Sequence, residues 1–87
     1  MDNKPVLDVF KSAEVGMYSV YCENGVLGMP PEVSENNYNA RGLWFIDRNQ
    51  TGWMLMIDQE GNSYLQSVKE GIGRGWEMLS FVATWHS

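Results

Sequence analysis

Between residues 41 and 68 the apolar positions come in three short runs separated by two similar polar breaks. The runs cover 43–47, 53–57 and 63–68, each about the length of an ordinary strand. The breaks are Asn49-Gln50-Thr51-Gly52 and Asp58-Gln59-Glu60-Gly61. Asn or Asp opens a type I turn because its side chain accepts a nearby backbone N–H, and Gly closes it where the chain needs positive φ. A type I turn with a Gly bulge is a common hairpin link. The pattern therefore predicts a three-stranded antiparallel meander. Bulges in both turns would set Asn49 opposite Trp53, Asp47 opposite Leu55 and Phe45 opposite Ile57. In the second hairpin they would set Leu55 opposite Leu65 and Met56 opposite Tyr64.

Side chains alternate across a strand. One face then carries Leu43, Phe45, Leu55, Ile57 and Leu65, and the other Trp44, Ile46, Met54, Met56 and Tyr64. Both faces are apolar, so each needs a cover, whereas a sheet covered on one side alternates apolar with polar. Two covers are available for the second set: an N-terminal helix or the strand from Trp76. Otherwise that set is a contact surface. Aromatics and Met are enriched in interface cores, and Met adapts to irregular partners.

The flanking segments extend the sheet. Asn3-Lys4-Pro5 is a helix opening, followed by Val6, Leu7, Phe10 and Ala13 at helical spacing and by Gly16 as a stop. Residues 15–23 read as a strand, Asn24-Gly25 as a hairpin turn and 26–29 as the return, ended by Pro30-Pro31. The stretch 31–40, PEVSENNYNA, reads as the one long loop and the first candidate binding loop. Gly71, Gly73 and Gly75 mark a loop or a bulged strand. Residues 76–86 read as a last strand, with Leu79, Phe81, Ala83 and Trp85 on one face. The expected fold is mainly β within an α+β layout, one domain over 1–87. It is an antiparallel meander sheet or small open barrel of five to six strands with one short N-terminal helix.

Composition narrows the function. The formal charge is −5, and residues 1–40 carry six acids and two bases against five and four in 41–87. No base occurs between Lys11 and Arg41. Such a field disfavours phosphates and favours a basic partner. Arg41, Arg48, Lys69 and Arg74 make at most a weak positive patch, so direct nucleic-acid binding is not expected. No intrachain disulfide is possible with Cys22 alone. The N-terminus has no cationic region followed by an apolar run, and no stretch approaches the ~20 apolar residues of a membrane helix. The expectation is a cytoplasmic protein without membrane contact. Asn49-Gln50-Thr51 matches a glycosylation sequon and is read as turn chemistry.

Catalytic constellations are missing from the pattern. One His and one Cys do not make a zinc ligand set. Asp58 to Asn62 lacks the alternating ligands and closing Glu of a calcium loop. Cys22 and His86 make a dyad only if the fold joins them. Asp47 and Asp58 have turn-forming roles, or ion pairs with Arg48 and Lys69, to explain them. No catalytic residue, metal or cofactor is expected. The leading expectation is a small acidic non-enzymatic protein-binding module of the inhibitor or immunity type, which occludes a basic partner protein. Glu32, Glu35 and Tyr38 of the loop, with Trp44, Ile46, Met54, Met56 and Tyr64, are its candidate contacts. The alternatives are a homodimer or other homo-oligomeric structural subunit, and a small-ligand or carbohydrate-binding β-domain using Trp44, Trp53, Trp76 or Trp85 as platforms.

Overall fold

The computed structural model describes residues 4–79, which form one antiparallel sheet with two short helices on one side. In chain order these are α1 (Val6–Ser12), β1 (Gly16–Cys22), α2 (Pro31–Glu35), β2 (Ala40–Asp47), β3 (Thr51–Asp58), β4 (Ser63–Lys69), β5 (Ile72–Gly73) and β6 (Glu77–Leu79). The strands run β1-β2-β3-β4-β5, and β6 pairs with β4 beyond β5, so the last two share one edge. The sheet is open, and the meander rather than the barrel is what forms.

The second hairpin follows its turn chemistry. Gly61 takes φ 88°, its N–H donates to the Asp58 carbonyl at 2.9 Å, and Leu55 faces Leu65 and Met56 faces Tyr64 as expected. The first hairpin does not. Its turn is Arg48–Gln50, with Asn49 and Gln50 both left-handed at φ 58° and 55°. Gly52 lies inside β3 opposite Ile46, Asp47 faces Thr51, and Phe45 faces Trp53. Asn tolerates the left-handed region, so the reversal closes before the glycine is reached. Gly52 serves another purpose: a Cβ there would run into the Phe45 carbonyl oxygen. The register differs from expectation by an even number, so every side chain keeps its face.

The Asn24-Gly25 signal makes a turn but no hairpin. Val26 donates to the Glu23 carbonyl at 3.4 Å, yet Gly28 then takes φ 82° and 26–29 forms no strand. β1 pairs with β2 instead, from Gly16 opposite Ile46 to Cys22 opposite Ala40. The connection 23–39 crosses the sheet and buries Met29, Pro30 and Val33. Part of the expected loop is thus α2, with Pro30 in the N-cap position and Pro31 in its first turn. At the chain start, Pro5 rather than Asn3 precedes α1, and Asn3 lies outside the described residues. A two-residue turn of Glu70 (φ 51°) and Gly71 (φ 81°) links β4 to β5. Of the expected last strand, β6 is described. Residues 80–87, including Phe81, Ala83, Trp85 and His86, lie outside the described residues.

The core lies between the helices and one sheet face. Val6 and Phe10 of α1, Met29 and Val33 press on Trp44, Ile46, Met54, Met56, Tyr64 and Val68. The Phe10 and Trp44 rings meet at 6.0 Å and 51°.

Candidate functional site

The five sheet residues taken as candidate contacts are core. Trp44, Ile46, Met54, Met56 and Tyr64 are each at most 3% exposed. This corrects the contact-surface expectation, and the reason is chemical. A buried indole needs an acceptor, and Trp44 Nε1 donates to the Met56 sulfur at 3.3 Å. These five aromatic, Ile and Met side chains are used internally.

Tyr64 completes a second internal network. Its hydroxyl donates to Asp58 Oδ2 at 2.8 Å. Asn62 Nδ2 donates to the same oxygen at 3.1 Å, while the Glu60 and Asn62 backbone N–H groups donate to Oδ1 at 2.8 and 3.0 Å. Burial pushes the Asp58 carboxyl pKa upward, but the four donors together outweigh it and hold the group below its ordinary value. Burial, and then the bond to Asp58, raise the Tyr64 phenol. Such a pair locks a turn and has no proton to offer near neutrality. Asp47 is likewise a turn group, accepting from the Arg48 N–H at 2.8 Å. Neither aspartate pairs with Arg48 or Lys69, and the ion pair found among the described residues is Lys11 with Asp8 at 3.9 Å.

Among the described residues, the surface without a cover is the opposite sheet face. Met17 and Tyr21 of β1 are 60% and 53% exposed, and Leu43 and Ile57 are 45% and 43% exposed. Phe45, Trp53, Leu55 and Leu65 lie among them half-buried, with the Phe45 and Trp53 rings stacked at 6.0 Å and 23°. The register places Arg41, Asp47, Lys69 and Glu77 at the margins of this face and no charge in its middle. Arg41 lies over the Tyr21 ring at 5.5 Å. Here Ser19, Tyr21, Gly42, Leu43 and Ile57 line a shallow depression of about 620 Å³. Gly42 is required by close approach, because a Cβ would strike the Leu55 carbonyl oxygen.

The acidic candidates lie elsewhere. Glu32 and Glu35 are exposed on α2, and Tyr38 is half-buried against the core. Since Val33 of α2 packs into the core, these three sit on the helical side. The loop acids and the open apolar face therefore do not form one continuous surface. Of the four bases, Lys69 and Arg74 share a depression with Asn49, Thr51 and Glu70 at the end of the sheet nearest Arg48, while Arg41 lies at the other end of β2. Of the tryptophans, Trp44 is buried, Trp53 is half-buried against Phe45, and half-buried Trp76 donates its N–H to the Gly28 carbonyl at 2.8 Å. Trp85 lies outside the described residues.

Sequence reasoning missed Gln66. It is buried, and its Oε1 accepts from the Gly75 N–H at 3.0 Å, bridging the gap between β5 and β6. The signal was a polar residue at a core-face position beside alternating glycines. Cys22 is half-buried with its thiol pKa raised by burial, opposite to the activation a nucleophile needs. Among the described residues no three His, Cys, Asp or Glu side chains form a metal-binding group, and no helix is long and apolar enough to cross a membrane. No family model matches the chain, and neither the curated proteins nor the solved structures contain a match.

Proposed function

We propose that this chain is a non-enzymatic protein-binding module that covers an apolar patch on a partner protein with the open face of its sheet. The observation that carries this reading is the charge-free centre of that face. Met17, Tyr21, Leu43 and Ile57 stand exposed around half-buried Phe45, Trp53, Leu55 and Leu65. An apolar centre with charges at the rim is the anatomy of a protein contact. An interface of standard size takes about 800 Å² from each partner, with an apolar centre of this kind at its core.

Charge refines the partner. The net charge of −5 draws a basic protein at low ionic strength. The acids of α2 lie beyond the sheet from the contact, a separation of about 10 Å or more, so salt near 0.15 M screens most of their influence there. The partner is an apolar patch in basic surroundings, held mainly by burial.

A native pull-down with nuclease treatment tests this, comparing the wild type with a Leu43→Glu, Ile57→Glu double variant. A stoichiometric partner held by the wild type and lost by the double variant is expected. Retention by both would sink the assignment of the face. A face that returns only a second copy of the bait would replace the foreign partner with self-association.

A further inference from the structure

The sheet ends on one side at β1, and among the described residues no strand pairs with its outer edge. Natural edges are blunted by Lys, Pro, bulges or very short length. This one has none of those guards. Gly16-Met17-Tyr18-Ser19-Val20-Tyr21-Cys22 contains no charge and no proline, and it stays in register with β2 at every residue. Beside it, on the helical side, is a mostly apolar groove of about 340 Å³ lined by Val6, Val9, Val20, Cys22, Val26 and Trp44 together with Lys4 and Tyr21. Val9 stands 43% exposed there, off the buried stripe of its own helix.

From these observations we infer that the β1 edge and the adjoining groove take an extended peptide segment of a partner by strand addition. Its alternate apolar side chains fill the groove, and its ends are basic. A strand added to β1 lies about 4.8 Å away, with alternate side chains directed to opposite faces. One set drops over Val9, Val20 and Val26. The other continues the open face beside Met17 and Tyr21. Main-chain bonds supply affinity and the groove supplies side-chain selection.

Charge selects this occupant over a second copy. Exposed Glu14 and Glu23 bracket the uncharged edge. Two copies paired antiparallel about Ser19 would set Glu14 of one opposite Asn24 of the other, one residue from Glu23, so each end of the pair gathers two acids, which disfavours self-pairing at low ionic strength. A foreign strand with Lys or Arg at its ends meets the same two acids favourably. The inference stands on the β1 edge and does not depend on the open face.

The test uses the intact chain and a fluorescein-labelled peptide, Lys-Val-Thr-Val-Thr-Val-Lys, followed by anisotropy. Saturable binding is expected, accompanied by slower amide exchange within residues 16–22. N-methylation of every internal peptide residue should abolish it by removing the backbone donors. Val9→Lys alters an exposed position, so the fold survives, which circular dichroism checks. It should weaken binding by about ten-fold through charge placed in the groove. A Glu-ended peptide should bind roughly five-fold more weakly than the Lys-ended one at low salt, and Glu14→Lys with Glu23→Lys should reverse that order. Binding that survives N-methylation, exchange protection confined to β3 and β4, or no binding at millimolar peptide would each overturn the assignment. So would a wild-type dimer joined through β1.

Discussion

The two faces of this sheet are close to equal in apolar content and opposite in fate. One carries Trp44, Ile46, Met54, Met56, Tyr64 and Val68 under α1 and α2. The other carries Leu43, Phe45, Trp53, Leu55, Ile57 and Leu65 and has no helix over it among the described residues. Hydrophobicity does not separate them, but buried polar atoms do. The covered face holds the Trp44 indole, the Asp58 carboxylate, the Tyr64 hydroxyl and the Gln66 amide, each with a fixed partner inside the chain. A polar atom under a cover needs a partner of its own, because leaving it unpaired costs about 1–3 kcal/mol. The middle of the open face has no such groups. A face meant for another molecule can stay apolar at its centre and leave polar contact to its rim.

The sharpest way to break this comparison is to cut equivalent groups from both sides. Phe10 is fully buried against Trp44, so Phe10→Ala should cost about 3–5 kcal/mol, read as a fall in the urea midpoint. Loss of similar size for Leu43→Ala would show the open face to be covered after all. Next in size is Asp58→Ala, which strips the shared acceptor from four donors at the β3–β4 turn. About 2–3 kcal/mol should be lost, with amide exchange rising first at Glu60 and Asn62.

The same pair sets a pH window. Asp58 has a depressed folded-state pKa, so its stabilisation is present above the unfolded value near ~3.9 and disappears as pH falls through the folded value. Tyr64 has a raised pKa, so its contribution is full below the unfolded value near ~10 and is lost as pH rises beyond it. Urea midpoints should form a plateau between these limits. In Asp58→Ala the acid-side fall should shift or shrink, and an unchanged profile would show that other carboxylates govern it.

Period and turn chemistry made much of the fold legible. The two apolar faces, the second hairpin's register and the helix around Val6 and Phe10 follow from local pattern. The first hairpin's register did not, because Asn49 and Gln50 both accept left-handed backbone and Gly52 is needed for approach to Phe45. The pairing of β1 with β2 was hidden for a different reason. Asn24-Gly25 is a strong local turn signal, and only long-range burial of Met29, Pro30 and Val33 carries the chain across the sheet. The site was hardest to read. Which of two apolar faces is covered depends on where the helices dock, and the strand pattern alone is symmetric to that choice. Trp44, opposite Met54 and diagonal to Met56, meets its sulfur acceptor only once the β2–β3 register is known.

The smallest expected effect on stability is the most discriminating for function. Leu43→Thr and Ile57→Thr replace exposed apolar groups with a residue suited to strands. Neither position supports the core, so each change should move stability by less than about 0.5 kcal/mol. In the proposed contact the same two side chains become buried, and the few residues that dominate an interface each cost more than about 1 kcal/mol of binding when truncated. The double variant should therefore unfold with the wild-type midpoint while its partner affinity falls more than ten-fold. Glu32→Gln with Glu35→Gln, on the far side of the sheet, should leave both quantities in place at 0.15 M salt and slow association only at low salt. If the pattern were inverted, with affinity following the α2 acids and indifferent to Leu43 and Ile57, the helical side would be the contact surface and the open face merely tolerated.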